Sequence, residues 1–99
     1  MKIVWSPLAL ERVEEYGGHI AAANPAAAIL WAEEVFAKVE PLADFPQLGR
    51  VVPEVGREEV RELFHGQYRI VYRVASAILI LTVRHTRQLL SAVDIEEEA

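Results

Sequence analysis

The residues best suited to chemistry in this 99-residue chain are four arginines and one histidine in its carboxy-terminal half. Arginine binds phosphate oxygens through two parallel hydrogen bonds and stays charged at physiological pH. Histidine titrates near neutral pH, so it can act as a general acid or base. The pattern predicts an anion-facing surface formed by Arg69, Arg73 and Arg84, with His85 and Arg87 beside it.

The charge of the chain is unevenly distributed. Fifteen acidic residues against ten Lys and Arg give a net charge of −5, which disfavours nucleic acid as a partner. No acidic residue lies between Glu62 and Asp94, although all four arginines lie there. Two interpretations stay open: a basic sheet surface that holds phosphate, or an ordinary solvated face on which Glu62 is the counter-ion.

Several other kinds of chemistry are excluded by composition. The chain has no cysteine, so disulfides and thiolate sites are absent, and neither His19 nor His65 has a second ligand at metal spacing. No phosphate-binding or dinucleotide-binding loop is present, so we expect no metal and no cofactor. No apolar run reaches about 18 residues, and the apolar part of the amino terminus is too short for a signal peptide. We therefore expect a cytoplasmic protein without a membrane partner.

Hydrophobic spacing and turn residues predict an α+β domain over residues 1–99, with the order β-α-α-β-β-β. Ser6-Pro7 and Asn24-Pro25 each start a helix, and the short connection predicts an antiparallel helical hairpin. The hairpin is expected to pack on one face of an antiparallel sheet. Residues 88–99 are expected to form a short helix or a flexible acidic tail. The predicted strands are residues 2–5, 60–65, 68–74 and 77–84, and the second helix spans residues 26–42.

The pairing register decides which face carries the arginines. A loop of two or four residues centred on Ala75-Ser76 pairs Arg73 with Ile78 and Arg69 with Thr82. Arg69 and Arg84 are then diagonal neighbours on the face opposite the helices, whereas an odd-length loop would move Arg69 into the core. On this register the helices receive Tyr68, Ile70, Tyr72, Val74, Leu79, Leu81 and Val83, and the opposite face receives Ile78, Ile80 and Thr82.

Short motifs along the chain follow one another in a recognisable order: Ser6-Pro7, Asn24-Pro25-Ala26, Phe45-Pro46-Gln47-Leu48-Gly49-Arg50, Tyr68-Arg69-Ile70-Val71-Tyr72, and Thr82-Val83-Arg84-His85-Thr86-Arg87. Between Ile3 and Gln88 the chain resembles the RelE/ParE superfamily of toxins from type II toxin-antitoxin systems. The resemblance implies the same β-α-α-β-β-β fold and a cognate antitoxin that wraps the toxin in a hetero-oligomer. We expect Trp31 and Val35 to contact that antitoxin, with a purely structural role in the core as the alternative for Trp31.

The resemblance implies two targets, and the residues favour one of them. A RelE-like protein would cleave mRNA on the ribosome, with Arg69 and Arg87 on the phosphate and His85 as the acid or base. The usual tyrosine near the carboxy terminus and the usual lysine cluster are both missing from this sequence. The ParE-like branch, which resembles a poison of DNA gyrase without catalysis, is therefore favoured. A non-toxic binding module of the same fold is the third interpretation.

Overall fold

The computed structural model describes residues 1–95, in the order strand, two helices, four strands and a short helix. The α+β class and the helical hairpin are confirmed. The structure adds a two-residue strand at Arg50–Val51, and it has a four-residue helix at Ala92–Ile95, within the segment expected to form a short helix or an acidic tail. The acidic run Glu96-Glu97-Glu98, at the end of the segment expected to form a short helix or a flexible tail, lies outside the described residues. The elements are β1 (Ile3–Trp5), α1 (Pro7–Ala23), α2 (Pro25–Val39), a 3₁₀ turn (Glu40–Ala43), β2 (Arg50–Val51), β3 (Val60–His65), β4 (Tyr68–Val74), β5 (Ile78–His85) and α3 (Ala92–Ile95).

Both long helices begin after the predicted caps, Ser6 and Asn24, but α2 ends at Val39 and not at Leu42, because a 3₁₀ turn that contains Pro41 follows it. The Ser6 hydroxyl accepts a hydrogen bond from the Ala9 amide, and the Asn24 carbonyl oxygen accepts one from the Ala27 amide. A proline follows each cap, where the missing amide hydrogen leaves no bond unmade. Because Asn24 alone separates α1 from α2, the helices turn back on each other. No helix in the described part of the chain is long and apolar enough to cross a membrane.

The five strands form one mixed sheet in the order β1-β5-β4-β3-β2. The strands β3, β4 and β5 pair antiparallel, as predicted, and β2 pairs antiparallel with β3. Strand β1, however, pairs parallel with β5. A parallel pair needs a long connection, and here the chain between β1 and β5 runs through the helical hairpin and then through β2, β3 and β4. The helices therefore cover one face of the sheet, and β2 closes part of the edge beyond β3.

The register between β4 and β5 differs from the prediction. The connecting loop holds three residues, because Val74 pairs with Ile78. The predicted pairs of Arg73 with Ile78 and Arg69 with Thr82 are wrong, since Arg73 faces Leu79 and Arg69 directly faces Arg84.

Arg69 stays on the face opposite the helices in spite of the odd loop, because β4 keeps its own alternation and turns Ile70 and Tyr72 towards them. An irregularity in β5 brings Arg84 to the same face. Val71 pairs with Thr82 and Tyr72 with Ile80, so Leu81 is an extra residue in a β-bulge. Relative to the predicted register, the three-residue loop shifts the alternation of β5 by one residue, and the bulge shifts it back by one residue. Before the bulge the predicted faces of β5 are therefore exchanged, and Ile78 and Ile80 join the helix-facing core while Leu79 and Leu81 face the other way. Beyond the bulge the prediction is correct.

The structure has two apolar cores, one on each face of the sheet. The larger core lies between the helices and the sheet and includes Val35, Leu42, Ile70, Tyr72 and Ile80. The smaller core lies on the opposite face, which we expected to be solvated. It consists of Val52, Val60, Val71 and Leu81, packed against Val55, Leu79, Leu90 and Ile95. The loop after β2 and the segment that carries α3 therefore cover much of this face.

Candidate functional site

The arginine face is the surface of the sheet opposite the helices, and it carries the predicted anion-facing residues Arg69, Arg73 and Arg84. Arg69 is only 6% exposed, and the other two are partly buried. Arg73 lies between Val60 and Leu79 at the end of the face nearest the β4–β5 loop. The face is therefore covered over much of its area and is not an open basic surface.

Two separate groups of charged side chains organise this face. The first, called the Arg69 cluster, consists of Arg50, Glu54, Glu62 and Arg69. Arg69 donates to Glu62 Oε1 from Nε at 2.6 Å and to both oxygens of Glu54 from Nη1 and Nη2 at 2.7 and 2.9 Å. Arg50 Nε donates to the other oxygen of Glu62 at 2.9 Å. The pairing of Arg69 Nη1 and Nη2 with both oxygens of Glu54 is the geometry in which arginine binds carboxylates most strongly.

The Arg69 cluster neutralises itself, because two guanidinium groups face two carboxylates. The hydrogen bonds from Arg69 lower the pKa of Glu54 from 4.5 to about 2, although partial burial acts in the opposite direction. The carboxylates likewise raise the pKa of Arg69 above its ordinary value, with Glu54 as the largest cause. Arg69 is thus charged and buried, its Nη1 and Nη2 atoms both donate to Glu54, and its Nε donates to Glu62. The donor pair that would bind a phosphate is therefore already used within the chain.

The second group, called the Asp94 cluster, consists of Arg12, Thr82, Arg84 and Asp94. The fully buried Asp94 carboxylate lies 3.3 Å from Arg12 Nη2 and 3.3 Å from Arg84 Nε. Thr82 Oγ1 lies 3.2 Å from Asp94 Oδ1. On the other oxygen, the Ser91 amide and hydroxyl donate at 2.9 and 3.0 Å. One aspartate therefore joins helix α1, strand β5 and helix α3.

The Asp94 carboxylate is held in its charged form. Burial alone would raise its pKa, but the hydrogen bonds from Ser91 and the charges of Arg84 and Arg12 outweigh that effect, so the pKa lies below its ordinary value. Burial would lower the pKa of Arg84, but the Tyr16 hydroxyl and Asp94 raise it. Among the described residues, two guanidinium groups share this one carboxylate, so the group carries an excess positive charge.

The residues proposed for RNA cleavage are not brought together. His85 faces Tyr68 across the strands, and its ring packs edge-on against the Tyr68 ring with centroids 5.5 Å apart. Because Tyr68 packs against the helix-facing core, His85 lies on the opposite side of the sheet from Arg69. Arg87 is exposed beyond the end of β5, where its amide donates to His85 Nδ1 at 3.2 Å. An acid or base at His85 thus has no access to a phosphate on the arginine face.

The expected antitoxin contacts, Trp31 and Val35, are part of the core. Val35 is fully buried, and the Trp31 ring packs against Tyr68 with centroids 5.0 Å apart. Their side of α2 faces the sheet, so neither side chain is presented to a partner in this structure. The large apolar side chains that α2 exposes are Ile29, Leu30 and Phe36, which are 64%, 57% and 38% exposed.

A second exposed apolar surface lies around the loop before β2. The buried Tyr72 hydroxyl donates to the Pro46 carbonyl at 2.7 Å and accepts from the Gly49 amide at 2.9 Å. This clamp holds the loop while Phe45 and Leu48 stay exposed. A Cβ on Gly49 would lie 2.5 Å from the Glu62 carbonyl oxygen, so the close approach of the loop to β3 requires glycine there. Among the described strands, none pairs with the outer edge of β3 at residues 63–65.

Sequence reasoning missed three residues that define the arginine face: Arg12, Glu54 and Asp94. Each lies outside the arginine-rich segment, in α1, in a loop or in α3. A usable signal exists for Asp94, because Ser91-Ala92-Val93-Asp94 has the spacing of a capping box. The structure shows the reciprocal contact of that motif, in which the Asp94 side chain accepts from the Ser91 amide.

Comparison with known proteins adds independent observations. Residues 3–90 match the family model described as ParE toxin of type II toxin-antitoxin system, parDE. The chain is 36% identical over 90 residues to a protein of Sinorhizobium fredii (strain NBRC 101917 / NGR234) named "Putative toxin Y4kP". That match covers 88% of this chain and 90% of the relative.

The fold has a counterpart among solved structures. A chain from a structure titled "Chromosomal ParDE TA system from P. aeruginosa" superposes with a TM-score of 0.73. The match covers 86% of this chain and 95% of that chain, at 21% sequence identity. At this identity, the similarity establishes the shared fold.

Proposed function

This chain belongs to the ParE toxin family of type II toxin-antitoxin systems, and from that membership we propose that it arrests bacterial growth by poisoning DNA gyrase. On this proposal, the toxin inhibits gyrase by binding to it and does not cleave nucleic acid. A cognate antitoxin neutralises it by covering an exposed apolar surface.

The observation that carries this choice of target is the internal pairing of the arginine face. Cleavage of RNA by its own 2′-hydroxyl needs a base, an acid and a group that stabilises the phosphorane charge. Arg69 is bound to Glu54 and Glu62, and His85 lies on the opposite face of the sheet. The missing catalytic arrangement supports inhibition by binding, and the net charge of −5 disfavours docking into ribosomal RNA.

The antitoxin contact, on this proposal, falls on exposed apolar side chains and on the open strand edge. Ile29 and Leu30 form an exposed apolar pair on α2, which suits the apolar side of a partner helix. The outer edge of β3 next to Leu48 suits an extended segment that adds a strand. Both modes use surface that the fold leaves exposed, whereas Trp31 and Val35 would require α2 to separate from the sheet.

A supercoiling assay with purified gyrase tests the target. We expect the purified chain to inhibit supercoiling, and we expect its cognate antitoxin to prevent that inhibition when it is added first. A parallel toe-printing experiment on translated mRNA should show no new cleavage sites. Unchanged supercoiling together with new cuts that vanish in Arg69→Ala would replace this proposal with the RelE-like one. Growth that continues during expression would favour the non-toxic module.

Substitutions on α2 test the antitoxin surface separately. We expect the double variant Ile29→Asp, Leu30→Asp to weaken antitoxin binding at least about tenfold, because buried apolar contacts dominate such interfaces. Glu58→Gln, on an exposed loop far along the chain, is the matched control and should bind normally. Equal binding by both variants, measured by titration calorimetry, would remove α2 from the interface.

A further inference from the structure

The Asp94 cluster has the composition of a receptor for a carboxylate. Its donors come from parts of the fold that are independent of Asp94: Arg12 from α1, and Thr82 and Arg84 from the middle and end of β5. Thr82 is fully buried, and the Arg12 and Arg84 side chains are only 13% and 21% exposed. The pocket is therefore built by the helices and the sheet, and the last helix only inserts the ligand.

The pocket has more donor capacity than its ligand uses. Arg12 Nη1 is buried and has no hydrogen-bond partner among the described residues. One carboxylate offsets only one of the two guanidinium charges. A buried donor without a partner and an uncompensated charge both cost free energy, and both are relieved by a better-placed anion.

The segment that carries Asp94 is weakly attached by comparison with the pocket. Helix α3 has only four residues, too few to be stable by itself. The segment is otherwise held by Leu90 and Ile95 against the smaller core and by one hydrogen bond of 3.3 Å from the Leu90 amide to Glu54. Leu89 and Val93 remain 79% and 53% exposed, so half of its large apolar side chains contribute little burial.

We propose that Arg12, Thr82 and Arg84 form a carboxylate-binding pocket that the chain fills with its own Asp94, and that an acidic side chain of a partner protein can take its place. The segment from Leu89 to Ile95 is then a tethered ligand. An incoming carboxylate gains both arginines and releases α3 from the sheet. The group that fills the pocket in the structure is itself a carboxylate, held by arginine and hydroxyl donors. We therefore expect the group that replaces it to be a carboxylate as well. The pocket does not depend on which molecule the toxin inhibits.

Chemical rescue of an emptied pocket tests the proposal. Asp94→Ala removes the tethered carboxylate and leaves the three donors in place. We expect sodium formate to raise the melting temperature of this variant by about 4–8 °C, with saturation, relative to sodium chloride at the same ionic strength. The wild-type chain, whose pocket is full, should show no such difference. Asp44→Ala, which removes an exposed carboxylate, should behave like the wild type.

Further arms separate a specific pocket from general anion effects. The double variant Asp94→Ala, Arg12→Gln should lose the formate response, because one of the two guanidinium groups is gone. Inorganic phosphate should stabilise Asp94→Ala less than formate does, since the donors in the structure are arranged around a planar carboxylate. The absence of saturable rescue, an equal response in the wild type, or rescue by phosphate alone would each overturn the proposal.

A second variant keeps the test valid if Asp94→Ala does not fold. Asp94→Asn keeps the size of the side chain but removes its charge, so formate should compete with it for Arg12 and Arg84. We expect formate to accelerate amide exchange of residues 90–95 in this variant at least about tenfold more than in the wild type, because the tethered carboxylate has a high effective concentration. Equal acceleration in both proteins would contradict replacement at this pocket.

Discussion

The Arg69 cluster and the Asp94 cluster are neighbours on one face of the sheet, since Arg69 and Arg84 pair directly across β4 and β5. Both bury an acidic side chain against two arginines. The Arg69 cluster has a second carboxylate, and its members lie between Arg50 and Arg69 in the sequence. The Asp94 cluster has one carboxylate among the described residues and joins the first helix to the last.

This difference teaches which buried charges fix a fold and which leave it adjustable. Charges that balance within a short stretch of chain join neighbouring strands of the sheet, so they belong to the folded framework. A carboxylate on a short terminal helix can leave while the rest of the structure remains. Buried ion pairs of the same kind therefore stabilise the folded framework in the Arg69 cluster and form a contact that can be released in the Asp94 cluster.

The largest expected effect comes from breaking the Arg69 cluster. Glu62→Ala leaves Arg69 buried with one of its two carboxylates missing and removes the partner of Arg50. We expect the free energy of unfolding to fall by about 3–5 kcal/mol, measured by urea denaturation. Glu59→Ala, in the exposed pair with Arg57, should change it by less than about 1 kcal/mol. Equal losses in the two variants would mean that burial does not distinguish these pairs.

The Asp94 cluster should respond locally. Amides of residues 90–95 should exchange with solvent through a local opening, whereas those of β3 and β4 should exchange only on global unfolding. Asp94→Ala should lower the free energy of the local opening by about 1–3 kcal/mol, because its hydrogen bonds from Ser91, Thr82 and the arginines are lost. Hydrogen exchange read by mass spectrometry measures both regions. If residues 90–95 and the strands β3 and β4 open with the same free energy in the wild type, the proposed difference between the two clusters is wrong.

Acid should weaken the Arg69 cluster through Glu54. Its pKa is about 2 in the folded chain against an ordinary 4.5, mainly because Arg69 donates to it. The resulting stabilisation is complete above pH 4.5 and is lost as the pH falls towards 2. Glu54→Gln should therefore be less stable than the wild type at pH 7 and should lose less stability between pH 4.5 and 2. Urea unfolding at several pH values measures this, and an unchanged pH dependence would contradict it.

The smallest effect is expected where an ion pair is exposed. Glu58→Ala removes a carboxylate that is 86% exposed and pairs with Arg61 at 2.8 Å. Arg61 keeps its hydrogen bonds to the Glu58 and Gly49 carbonyls, so the free energy of unfolding should change by no more than about 0.5 kcal/mol. A loss above about 1 kcal/mol in thermal or urea unfolding would show that a short distance, without burial, is sufficient for stability.

The helices and their contact with the sheet could be predicted from sequence because the relevant signals are local. Ser6-Pro7 and Asn24-Pro25 cap and start the helices, and the apolar alternation of β4 places Ile70 and Tyr72 towards them. Each signal lies within a few residues of the feature it predicts. Tyr72 also holds the loop through hydrogen bonds with Pro46 and Gly49. That second role could not be predicted, because these partners lie more than twenty residues away in the sequence.

The register of β5 and the counter-ions of the arginine face could not be predicted, because each depends on two distant features. The β-bulge at Leu81 becomes visible only when β5 is laid against β4. Glu54 and Asp94 lie on either side of the arginine-rich segment, so charge counted along the chain gave a basic face where folding produces a largely paired one. Counting charge within a segment says little about a surface to which other segments contribute.

Because directly opposed residues share a face, both cores depend on how β5 is paired with β4 and not on the number of residues in the loop between them. A slip of β5 by one residue along β4 would turn Leu79 and Leu81 towards the helices and Ile78 and Ile80 away from them. Each core therefore opposes that slip. A loop of a different length that keeps Val74 paired with Ile78 should leave both cores unchanged.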